Sequence, residues 1–187
     1  MKILLVIFLL TLCMGAQAQA HRDPLNDREV DQMRDTAQDP KKRIDLMIGF
    51  SRDRVLAIDR LRTSTKSGLD DGARIADLLS ELATLVDELD DNLTMYGGHS
   101  EDLRRPLRHL LDAEAEFLQK LKLLDASATP LQKRRFAAAL ADATDSIQSS
   151  TESARALLAD QIEKKGEEKN KEKLDREEAH QAATSER

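Results

Sequence analysis

Two side chains stand where they could do chemistry, Glu114 and His109. Glu114 interrupts an apolar stripe made of Leu103, Leu107, Leu110, Phe117, Leu121 and Leu124. A carboxylate buried in such a stripe could hold a cation or a ligand inside a helical protein. Leu111 and Leu118 pull the stripe to one side, however, so the expected place for Glu114 is its edge, with a packed stem and a hydrated head. His109 lies next to Leu110 and three residues before Asp112, which suits the polar border of the same helix. Glu114 and His109 are the only candidate metal ligands. The expectation is no catalytic residue, no bound metal and no cofactor.

The stronger constellations are missing. Covalent haem needs Cys-x-x-Cys-His, and Cys13 is the single cysteine. Di-iron bundles need inward-facing Glu-x-x-His pairs, but the residue three before His109 is Pro106 and the residue three before His99 is Tyr96. Met33 or Met47 opposite His109 could ligate haem non-covalently, yet methionines at helical spacing are ordinary core filler. No Ser, His and acid grouping is indicated, His-Glu-x-x-His is absent, and no glycine-rich phosphate loop follows a strand. Gly97-Gly98 reads as a helix stop, and the glycosylation sequon Asn92-Leu93-Thr94 falls inside a helix. The chain reads as non-enzymatic.

These residues sit in a chain of 187 residues with 34 % charged and 40 % hydrophobic side chains, no Trp, one Tyr and four Phe. So few aromatics, with only 7 Gly and 4 Pro, argue against a β-sandwich or barrel, which needs aromatic and β-branched strands cut by frequent turns. The net charge of -6 gives neither the cationic footprint nor the stacking platforms of a nucleic-acid binder. Lys41-Lys42-Arg43 and Lys133-Arg134-Arg135 read as solvated helix faces. Arg52, Arg54, Arg60 and Arg62 would be the basic face of a membrane-surface helix, but acidic neighbours dilute them.

Four amphipathic helices position everything else. Asp39-Pro40 is an N-cap followed by a first-turn proline, and Ile44, Ile48, Ser51, Val55 and Ile58 then recur at helical spacing, widened by Met47, Phe50 and Leu61. A second stripe runs Ile75, Leu79, Leu82, Val86, Leu89, Leu93 and Tyr96 without a polar interruption, and Gly97-Gly98 should end it through a left-handed cap. The third should start at a Ser100 cap with Glu101 and Asp102 in its first turn. Pro106 lies deep enough in it to predict a kink or a late start. Thr129, Pro130 and Gln132 form a capping box for the fourth, whose stripe is Phe136, Leu140, Ala143, Ile147, Ser150, Ala154, Leu157 and Gln161. Short links make successive helices antiparallel. The predicted fold is all-α, an antiparallel up-down four-helix bundle, with a dimerising three-helix bundle or coiled-coil hairpin as the alternative.

Across Asp39 to Leu61 the order Asp-Pro, basic residues, apolar stripe and Arg54-Val55 resembles a segment of uncharacterised exported bacterial helical domains. The resemblance implies export and helices, and no activity. Residues 1–20 read as a signal peptide: Lys2, an apolar run from Ile3 to Met14, and small-x-small cleavage sites at Ala16-Gln17-Ala18 and Ala18-Gln19-Ala20. Residues 21–38 form a polar segment with a short helix around Arg28 to Ala37. Residues 39–165 make the bundle, and 166–187 a charged tail, flexible or transiently helical. The expected role is protein–protein interaction in the periplasm or outside the cell, with an unidentified protein partner and no nucleic acid. After signal cleavage no membrane association is expected. A homodimer is the form the alternative fold implies, and a ligand- or metal-binding carrier is the alternative function.

Overall fold

Asp39 and Pro40 show how local chemistry sets the helix starts. In the computed structural model, which describes residues 23–64, 70–97 and 101–185, the Asp39 carboxylate accepts the Lys42 backbone N–H at 3.1 Å. Pro40 occupies the first helical position, where its missing N–H costs nothing. Five helices occur among the described residues: α1 (Asp27–Asp35), α2 (Pro40–Thr63), α3 (Asp71–Tyr96), α4 (Arg104–Ser127) and α5 (Pro130–Ser185). The chain is all-α there. The expected signal peptide lies outside the described residues, as do Cys13, Gly98, His99 and Ser100.

The short α1 begins with a full capping box. The Glu29 N–H donates to the Asn26 side chain at 3.1 Å, and the Asn26 N–H donates to the Glu29 carboxylate at 2.9 Å. Thr129 and Gln132 do the same for α5, with the Thr129 N–H donating to Gln132 Oε1 at 2.9 Å. The α4 start differs from the Ser100 cap expected above. Glu101 and Asp102 precede the helix, which starts late, at Arg104. Pro106 accounts for this, because an earlier start would put its ring against the carbonyl four residues back, whereas here it falls in the first turn. At the end of α3, Gly97 is in the right-handed region, not a left-handed cap. An added Cβ there would make only ordinary packing contact, with Leu157 Cδ1 at 3.6 Å.

The four long helices pack in a ring. α2 lies against α3 and α4, and α5 lies against the same two, while α2 does not pack on α5 nor α3 on α4. Directions follow from the cross-helix pairs. Arg43–Glu88 and Arg54–Glu81 run α2 antiparallel to α3, and Glu114–Thr151 and Asp125–Lys133 run α4 antiparallel to α5. Lys41–Glu101, Asp45–His109 and Asp59–Lys120 make α2 and α4 parallel. The link between α3 and α4 therefore joins helices on opposite corners of the ring. It is anchored by Gln161 of α5, which accepts the Leu103 N–H at 2.7 Å and donates to the Glu101 carbonyl at 2.9 Å.

The predicted stripes are the core. Ile44, Ile48, Leu79, Leu82, Leu85, Leu107 and Ile147 have no exposed surface, and Phe117 and Phe136 are as deeply buried. On α5 the small Ala143, Ser150 and Ala154 are fully buried and let α3 approach closely. Helix α5 runs unbroken through Gly166 to Ser185, and from Ile162 to Glu177 every side chain is exposed. This projecting part is held by local ion pairs such as Lys164–Asp160 at 2.7 Å and Lys173–Glu177 at 3.7 Å. Among the described residues no helix is long and apolar enough to cross a membrane.

Candidate functional site

The third stripe carries Glu114 inward, and the structure overturns the expectation of a hydrated head. Glu114 is 1 % exposed. Its Oε2 accepts the Thr151 hydroxyl at 2.7 Å across the α4–α5 contact, and its Oε1 has no hydrogen-bond partner. The drift toward Leu111 and Leu118 is real but small, since both are only partly buried and pack around the core rim. They leave Glu114 on the central line with Leu110 and Phe117.

A polar layer surrounds it. Ser51 of α2 and Ser150 of α5 are 1 % and 0 % exposed, and neither hydroxyl finds a partner. The parallel register of α2 with α4 (Asp45 beside His109, Arg52 beside Glu116) sets Ser51 at the level of Glu114. The antiparallel α5 brings Ser150 and Thr151 to the same level. Burial pushes the Glu114 carboxyl above the ordinary range. The Ser150 and Thr151 hydroxyls beside it and the more distant Arg155 pull the other way, while Asp90 adds to the rise. The physical reason is that the neighbouring hydroxyls do not replace the water that an ionised carboxylate loses on burial.

His109 is elsewhere. It is about half exposed, on the α2–α4 surface, with Nδ1 3.0 Å from Asp45 Oδ1. The structure does not bring His109 and Glu114 together, and among the described residues no three His, Cys, Asp or Glu side chains converge. Glu114 can hold or release a proton, with the Thr151 and Ser150 hydroxyls beside it.

Sequence reasoning missed a second buried polar cluster. Arg54 is 9 % exposed and Glu29 7 %. The Arg54 guanidinium grips both oxygens of Glu29, with Nη2 donating to Oε2 at 2.8 Å, and it also donates to the Pro24 carbonyl and, from Nε, to Glu81 at 3.1 Å. Burial alone would raise the Glu29 carboxyl, but Arg54 and the Asn26 N–H outweigh it and hold it below the usual range. The sequence signal was present: Arg54 follows Met47 and Phe50 on the buried row that continues to Ile58. Arg54 therefore belongs to the interior and not to a basic membrane face. Arg62 is likewise occupied, by Asp59 at 2.6 Å.

Comparison with known proteins returns no match: no family model, no characterised protein and no solved structure is similar to this chain.

Proposed function

We propose that the chain is an exported, non-enzymatic protein whose four long helices form an up-down four-helix bundle. It acts by presenting helical surface to another protein, in the periplasm or outside the cell. The observation that carries this reading is the projecting part of α5. Residues 163–177 are exposed on all sides, yet they continue the packed helix without a break. A helix polar all round suits a role in bridging through solvent, and at 1.5 Å per residue the part that follows Glu168, the residue beside Arg104, reaches roughly 25 Å further to Ser185. The export reading rests on the signal-like first twenty residues and on the resemblance over Asp39 to Leu61.

The test is a photo-cross-linking residue at Lys171 in the full chain expressed in its native cells, with Asp87 on the exposed face of α3 as control. A defined protein captured from Lys171 and not from Asp87 supports the reading. Capture from neither site overturns it.

A second reading, a bundle that carries a small ligand or metal ion in its core, draws on the unpartnered oxygens of Glu114, Ser51 and Ser150. Native mass spectrometry of the secreted protein separates the two. A retained ion or cofactor would favour the carrier.

A further inference from the structure

Parallel packing of α2 and α4 brings the basic residues near their starts to the same end of the molecule. Neither helix has an acidic residue in its first turn. Lys41, Arg104, Arg105, Arg108 and His109 line a surface groove of about 940 Å³ between them, with Asp45 and Asp102 on the same walls. Some of this charge is already matched. Lys41 pairs with Glu101 at 3.2 Å, Arg104 with Asp102 at 2.6 Å, and His109 with Asp45 at 3.0 Å. Arg105 and Arg108 are both exposed, and neither has an ion-pair partner among the described residues.

Two free guanidiniums three residues apart share one face of α4. Basic residues near the start of a helix oppose its dipole and gain nothing locally from being there. Their placement is the kind of local conflict expected where a surface is kept for binding. We infer that this groove docks an acidic segment of a partner protein, with Arg105 and Arg108 each taking a carboxylate through paired N–H donors. The proposal deepens the protein-interaction reading by naming the partner's chemistry.

Other anionic occupants fit less well. The projecting part of α5 from a second copy is charge-balanced, with six acidic and six basic residues from Glu163 to Glu177, so it offers the groove no net attraction. A lipid surface is planar and meets ridges before grooves, and the acidic chain as a whole is repelled by it. That same net charge of -6 also works against indiscriminate binding of acidic peptides. Binding therefore has to come from a local site.

The experiment uses the full chain and a fluorescein-labelled oligoglutamate peptide, followed by anisotropy at low and moderate salt. Binding is expected to weaken at least ~10-fold in Arg105→Ala/Arg108→Ala, since each lost charge-assisted bond is a sizeable loss. Arg134→Ala, at the opposite end of the molecule, should leave it unchanged. Both groove arginines are exposed, so circular dichroism should report the same helix content in all three proteins. An absent peptide signal, or equal affinity in the double variant, overturns the proposal. Arginine-dependent binding to phosphatidylglycerol vesicles that matches or exceeds the peptide would also overturn it, in favour of a membrane. A partner cross-linked at Lys171 together with no oligoglutamate binding would sink the groove alone and leave the broader reading standing.

Discussion

Thr151 donates its hydroxyl hydrogen to Oε2 of Glu114 over 2.7 Å, while Oε1 of the same carboxylate meets no partner. A group satisfied on one side only, at the centre of an apolar layer, makes folding depend on whether it is ionised. Its pKa is raised in the folded chain, mainly by burial, from an ordinary value of 4.5. Below that value both folded and unfolded chains carry the proton and no penalty exists. As pH rises from there through the raised folded value, the unfolded chain gives up its proton first, and stability falls.

Glu114→Gln removes this dependence and keeps the acceptor for Thr151. The variant should melt higher than the parent at neutral pH, and the gap should close in acid. Unsatisfied buried polar groups cost ~1–3 kcal/mol, and 1 kcal/mol is worth roughly 2–4 °C in a chain of this size. Thermal melts at a series of pH values check it. A gap of the same size at acid and neutral pH would show that the carboxylate is hydrated after all.

The Arg54–Glu29 pair should behave in the opposite sense. Arg54→Met leaves a buried carboxylate without its cation, a change that costs ~3–5 kcal/mol. Helix α1 packs only on α2, so hydrogen exchange over Asp27–Asp35 should accelerate most. The Glu29 carboxyl is held below its usual 4.5 by Arg54, so its contribution is present above that value and fades as pH falls through the lowered folded one. Adding Glu29→Leu to Arg54→Met should recover much of the loss, because the orphaned charge is then gone.

Much of the fold was legible because it is written in local, periodic terms. The Leu82 and Leu89 row, the Asp39-Pro40 start and the Thr129–Gln132 box all depend on residues within a turn or two of each other. Three features depend on distant parts of the chain, and these were not legible. Glu114 becomes deeply buried only because α5 lays Ser150 and Thr151 over it. Arg54 finds Glu29 twenty-five residues away. Helix order around the ring, with α3 and α4 on opposite corners, follows from which faces match and not from link length alone. Periodicity marks a face as buried, but it does not say what lies opposite.

Leu82 and Leu89 test the core itself. Both are buried, at 0 % and 1 % exposure, so Leu→Ala at either should cost about 2–5 kcal/mol. Asp87, between them on the exposed face, should tolerate Ala within ~0.5 kcal/mol. Chemical denaturation measures all three. Similar midpoints for the three variants would place the stripe at the surface.

Gly49 lies within α2, and an added Cβ would meet nothing within 4 Å. Glycine in a helix interior costs about 0.5–1 kcal/mol relative to alanine. Gly49→Ala should therefore stabilise the chain by that amount in the same denaturation experiment. A loss of stability would reveal a tighter α2 surface than the structure describes.

The projecting part of α5 is the region where local and tertiary forces separate most cleanly. Between Glu163 and Glu177 the one large aliphatic is Leu174, which is 59 % exposed. Nothing buried there offsets the ordering of the backbone, a cost of ~1–2 kcal/mol per residue. The helix rests instead on pairs such as Glu172–Arg176 at 4.0 Å and Lys165–Glu168 at 2.9 Å, each worth only ~0.2–0.5 kcal/mol. A chain ending at Gly166 should keep its thermal midpoint, and limited proteolysis should remove the projection before it cuts any packed helix. Gly166 has open space around its Cα, so Gly166→Ala should raise the helical signal of the intact chain and slow that cleavage without moving the midpoint. A midpoint lowered by more than a few degrees on truncation would mean that the projection docks. Its contact face would then have to be sought beside Arg104, whose guanidinium already feels Glu168.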